Sequence, residues 1–218
     1  AASPSFSLQL GIGNDGGVIY AKNTDIQAQN ISNQSGEIST ADKLNISALS
    51  LNNSAGTVFA NSQADIKLAG MLNNQGGTVA SLNQLNLHSA GLNNSTGSIY
   101  STAQGVSIQS TGLLDNTDGH IGAKEQLTIQ TQDIHNQRVD QVAKQAVLTG
   151  KGINLDVTGV LSNNGDIYSQ ADANINSTSL NNDHGNLSAD GKLAVDVLGN
   201  ISNTQGGITA NGDVALAA

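Results

Sequence analysis

The stretch Leu51-Asn52-Asn53-Ser54-Ala55-Gly56-Thr57-Val58 returns in close copies roughly every 20 residues along this 218-residue chain. A unit that short cannot enclose a core of its own, so the copies have to stack into a solenoid. Copies open with an aliphatic residue at Ile12, Ile31, Leu51, Leu72, Leu92, Leu114, Ile134, Leu161, Leu180 and Ile201. Each carries Asn two positions later: Asn14, Asn33, Asn53, Asn74, Asn94, Asn116, Asn136, Asn163, Asn182 and Asn203.

Five residues after the opener most copies have Gly, as at Gly36, Gly56 and Gly77. Such a position marks a corner, where the backbone turns with positive φ or passes close to another stretch of chain. Two residues on, an aliphatic returns (Ile38, Val58, Val79), and two beyond that stands a small residue (Thr40, Ala60, Ser81). A second alternating run closes the copy, as in Leu44-Asn45-Ile46 and Leu85-Asn86-Leu87. Alternation with period two is a strand with one buried face. Each copy therefore reads strand, corner, strand, with no room for a crossover helix. Successive strands can only stack directly, about 4.8 Å apart, as a parallel β-helix. Ten coils predict a rod of roughly 50 Å at that spacing, and residues 1–218 read as one domain cut from a longer filament.

The recurring Asn has two amide donors and an acceptor, which suits a ladder bonding each coil to the next. A turn-forming role is the alternative.

Only 2% of the residues are aromatic, too few for an ordinary globular core but enough for a slender rod filled by layered aliphatics. There is no Cys, so no disulfide is available. The net charge of −9, with eight scattered basic residues, argues against nucleic acid as a partner. No apolar run is long enough for a transmembrane segment. His88, His120, His135 and His184 occupy different repeat positions, so neither a metal site nor any cofactor is indicated.

One coil, residues 134–160, is irregular. It is longer by six or seven residues, with Val139 where Gly is expected and Gln141 where the inward aliphatic is expected. Val139, Val142, Ala143, Ala146 and Val147 follow helical spacing, with Asn136 placed as N-cap and Gly150 beyond the C-terminus. The spacing predicts a short helix leaning on the rod, with a bulged strand as the alternative.

The run Leu72-Asn73-Asn74-Gln75-Gly76-Gly77-Thr78-Val79-Ala80-Ser81, followed by Leu85-Asn86-Leu87, resembles the repeats of filamentous haemagglutinin-type exoproteins. That family includes adhesins and contact-dependent growth-inhibition effectors exported by two-partner secretion. The resemblance implies a right-handed β-helical filament, secreted to the bacterial cell surface. Such a filament passes an outer-membrane transporter during export and carries receptor-binding regions, sometimes with a terminal toxin. The expectation is a structural and adhesive segment and not an enzyme; a glycan-active β-helix enzyme of the polysaccharide lyase or hydrolase type is the alternative.

Two places stand out as candidate ligand-binding sites. Tyr20, Phe59 and Tyr100, with Tyr168 equivalent, follow the inward aliphatic and should form an outward column. Flat rings there could stack on a glycan or anchor a cell-surface receptor; β-propensity on a solvent face is the plainer reading. The irregular coil gathers mixed chemistry in Asp133, His135, Arg138, Asp140, Lys144, Lys151 and Asp156, Arg138 being the sole arginine.

Overall fold

The computed structural model describes residues 5–7, 10–139 and 146–218. Among these residues there is no helix, and every strand pairing is parallel. The chain winds into a β-solenoid of about ten turns. Two sheets run its length. The smaller has ten strands, which follow chain order from Val18–Ala21 to Gly207–Ala210. The larger, of seventeen strands, holds the other two sides of each coil. In some coils those two sides form one bent strand, such as Thr24–Ser32 and Leu44–Asn52. In others they separate at a bend, as between Ala64–Leu68 and Met71–Asn73.

Alternation along each strand sets the inside. In the smaller sheet Ile38, Val58, Val79, Ile99, Ile121, Leu148 and Ile167 stack one above another. All are essentially inaccessible to solvent. The larger sheet contributes Leu44, Ala64, Leu85 and Val106 in one row and Ile46, Ile66, Leu87 and Ile108 in the next. The opener aliphatics close the remaining side, with Leu51, Leu72, Leu92 and Leu114 in register. Because like pairs with like from coil to coil, one slipped residue would turn a whole row outward.

The irregular coil departs from the predicted helix. Val147–Gly150 is a strand of the smaller sheet, and Leu148 lies between Ile121 and Ile167. Asn136 ends the strand Asp133–Asn136 and is not an N-cap, while Gly150 pairs with Ser169. The part of the helical spacing at Val142 and Ala143, together with Gln141, lies outside the described residues. The inward position is taken by Leu148, because a stacked row of aliphatics on both neighbouring coils outweighs a local helical pattern too short to stand alone. The coil keeps its register by lengthening at the corner. Asn136 donates to the carbonyl of Ala146, ten positions on, where Asn53 donates to Gly56, three positions on. Seven residues are thereby accommodated without disturbing either sheet.

Candidate functional site

The Asn residues line up on the inside of the corner. Each Asn Nδ2 donates to the Oδ1 of the Asn one coil further, from Asn14 to Asn33 at 2.6 Å, through Asn74 to Asn94 at 2.7 Å, to Asn182 and Asn203 at 2.7 Å. The chain of amides crosses the irregular coil unbroken, Asn116 to Asn136 at 2.8 Å and Asn136 to Asn163 at 2.7 Å. The same amide also reaches two backbone carbonyls, as Asn53 does to Gly56 at 3.2 Å and Thr78 at 3.0 Å. Between Asn33 and Asn182 these side chains are buried, so each amide takes its hydrogen bonds from the protein alone.

The recurring spacing of Gly in most copies has a steric cause that sequence left open. A Cβ on Gly56 would come within 2.0 Å of the Asn33 carbonyl oxygen and 2.7 Å of the Asn53 Oδ1. Gly36, Gly77 and Gly97 meet the corresponding atoms at similar distances. Gly is required there by close approach of the neighbouring coil. The positive φ falls one residue earlier, on Ser35, Ala55, Gly76, Thr96 and Asp118, mostly on residues that are not Gly.

The aromatic residues share one outward column of the smaller sheet. Its order is Tyr20, Ser39, Phe59, Ala80, Tyr100, Gly122, Thr149, Tyr168. Tyr168 stands three coils from Tyr100 and not two, because Gly122 and Thr149 intervene. The small residues between the rings are covered: Ala80 faces outward between Phe59 and Tyr100 and is only 1% exposed. Phe59 and Tyr100, which flank it, are themselves only partly exposed. Tyr20 is 67% exposed, and the Tyr168 hydroxyl donates to Asp190 at 2.6 Å. That bond to a carboxylate, with lesser help from desolvation, raises the Tyr168 pKa.

His120 joins this column although its own residue position does not suggest it. Its ring lies against Gly122, whose added Cβ would be 2.7 Å from the imidazole Cε1. Burial lowers the His120 pKa below its ordinary value of 6.5. The signal in the sequence was Gly122, a hole in an otherwise filled column two residues from a flat side chain.

The residues singled out in the irregular coil do not converge. His135 sits in the larger sheet between Asp115 and Ser162. Arg138 turns the other way, donating from Nε to the Asn164 carbonyl at 3.0 Å and from Nη2 to Asp166 at 3.4 Å. Its backbone carbonyl also accepts from Asn164. These bonds fasten the lengthened corner to the following coil. Asp133 accepts the backbone N–H of Val160 at 2.7 Å. Asp156 lies on the outer face of the larger sheet beside Gln130. Lys151 pairs with Glu125 at 2.8 Å, and Asp140 and Lys144 lie outside the described residues. Among the described residues no group of His, Asp or Glu is gathered as a metal site would require.

A rod of parallel coils, filled by aliphatic rows and joined by a continuous Asn ladder, defines a β-solenoid repeat protein. The haemagglutinin repeat family matches residues 5–70, 46–118, 106–165 and 146–218, and the chain belongs to that family. The family is one of structural and adhesin-type repeats from secreted surface proteins. No characterised protein and no solved structure matches the chain significantly. Among the described residues no helix is long and apolar enough to cross a membrane.

Proposed function

We propose that this chain is a stretch of the stalk of a secreted bacterial surface filament. In this reading it extends and displays receptor-binding or toxin regions toward another cell, for adhesion or contact-dependent growth inhibition. Export by two-partner secretion would bring it through an outer-membrane transporter, and its lack of Cys suits a chain crossing membranes unfolded. The observation that carries the reading is the uninterrupted Asn ladder from Asn14 to Asn203, which fixes coil on coil along one axis. Such a device holds length and direction.

The test uses the parent bacterium. Antibody raised against this segment should label intact cells, and mild protease treatment should remove the label. Labelling that appears only after permeabilisation would overturn the surface assignment. A parent chain lacking one whole coil, residues 72–91, should remain displayed and retain its contact function, since a spacer tolerates loss of one spacer unit. Loss of contact function with display intact would show that this segment is more than stalk.

A further inference from the structure

The larger sheet carries a groove that a spacer does not need. It runs beside the bend at Ala69-Gly70, between the outward side chains of one strand leg and the residues just past the bend. Three depressions join along it. The first, of 680 Å³, is lined by Ser47, Lys67, Ala69, Asn86 and His88 among others. The second, of 520 Å³, shares His88 and Gln109 with the first and continues to Gln130 and Asp156. The third, of 310 Å³, shares Asp156 and Thr158 with the second and ends at Leu198.

One residue from each coil forms the floor: Ser47, Lys67, His88, Gln109, Gln130, Asp156, Asn176 and Asp196 are in register. Seven coil rises give the groove a length of about 34 Å. Its amides form a partial chain, with His88 Nδ1 3.0 Å from Gln109 Oε1 and Gln109 Nε2 3.2 Å from Gln130 Oε1. An amide oxygen only accepts, so His88 Nδ1 is the donor in this contact. Lys67 is uncommitted: the ion pairs among the described residues are Arg138–Asp166, Lys151–Glu125 and Lys192–Asp213. Its neighbour Asp65 is already held by Gln63 and Asn86, each at 2.7 Å.

The chemistry narrows the occupant. Backbone donors and acceptors on this face are spent between coils, so a peptide cannot add as a strand. Besides Lys67 and the carboxylates, what points outward along the row are amides, a hydroxyl and an imidazole, one residue per coil, which pair with hydroxyl groups. Asp65, Asp156 and Asp196 against Lys67 give a net negative lining on a chain of charge −9, which repels polyanions. A coil rise of about 4.8 Å is close to the length of one extended sugar unit.

We infer that this groove binds a neutral linear polysaccharide lengthwise, about one sugar unit per coil. The inference goes beyond the stalk reading and does not rest on it, since the groove would bind its ligand in any protein that presented it. The experiment is calorimetric titration of the purified chain with cellohexaose, maltohexaose, mannohexaose and chitohexaose, with polygalacturonate as the charged counter-probe. At least one neutral hexasaccharide should bind, and its disaccharide should bind at least tenfold more weakly because it meets fewer coils. Gln109→Ala and His88→Ala should each weaken binding threefold or more, and Ser107→Trp should block the groove. Tyr100→Ala, on the other sheet, should leave affinity unchanged. Should Ser107→Trp disturb the fold, as thermal melting would reveal, Gln109→Ala decides, because it removes only a surface amide. No binding of any neutral hexasaccharide, a preference for polygalacturonate, or affinity indifferent to the groove variants would overturn the inference. Loss through Tyr100→Ala alone would move the site to the aromatic column.

Discussion

At the regular corners Asn and Gly act as a pair. The Asn amide occupies the space beside the Gly and bonds to its carbonyl, while the preceding coil's backbone passes where a Cβ would stand. Asn74→Ala removes the donor to Asn94 and takes from the Asn53 amide its side-chain acceptor, leaving it the carbonyls of Gly56 and Thr78. It should cost about 1–3 kcal/mol in chemical denaturation, the usual loss for buried polar partners left unmade. Gly77→Ala should cost about 3 kcal/mol or more, since its Cβ would meet a carbonyl of the adjacent coil and not a movable side chain. The position before the corner Gly behaves oppositely, as Thr96 before Gly97 shows. Thr96 is β-branched yet sits at φ +55°, so Thr96→Gly should raise stability by about 1 kcal/mol. His120 adds a pH dependence. Its folded pKa is lowered, so the unfolded chain binds the proton first as pH falls below about 6.5. Stability from this group is complete above that value and declines below it. The melting temperature should therefore fall between pH 7 and pH 5.5, and His120→Gln should lose that component.

Among the elements, the irregular coil is the informative one. Its helical spacing spans residues whose ends, Asn136 and Val147, are both claimed by rows running the length of the rod. Removing residues 139–145 together with Ala146→Gly should restore the regular spacing from Asn136 to the corner carbonyl. That variant should fold with undiminished stability, because the extra length is removed and the ladder kept. The same excision with Ala146 retained should be less stable by about 3 kcal/mol, since the shortened corner would place its Cβ against the preceding coil. Denaturation of the two variants side by side checks both statements. The bends of the larger sheet show the same economy: Met71 leans over Gly91, whose added Cβ would lie 3.6 Å from Met71 Cγ.

For the molecule as a whole, strand pairing among the described residues joins neighbouring coils only, so length can change without change of kind. Excision of residues 72–91 removes one coil in register, because Met71 and Gly91 are partners and Leu72 and Leu92 are partners. The purified variant should remain folded, with far-ultraviolet circular dichroism of unchanged shape and one cooperative transition. A chain that lost its β signal would show that coils are not interchangeable units. The two long faces differ in character. The smaller sheet bears rings alternating with small residues, and the larger bears a polar groove.

The period, the strand alternation and the recurrence of Asn were legible in the sequence because each is local or repeats at fixed spacing. They determined a stacked parallel solenoid and which residues face inward. The tertiary structure alone decided what depends on the coil above and below. The Gly position turned out to answer a carbonyl from another coil, and Ala80 proved buried because Phe59 and Tyr100 flank it. Arg138 became a clamp on Asn164 and Asp166, and Val147–Gly150 a strand. The groove from Ser47 to Leu198 likewise exists only between coils, where residues some 20 positions apart stand side by side. Spacing along one coil carries no record of what its neighbours exclude, cover or hold, and those contacts settle each of these cases.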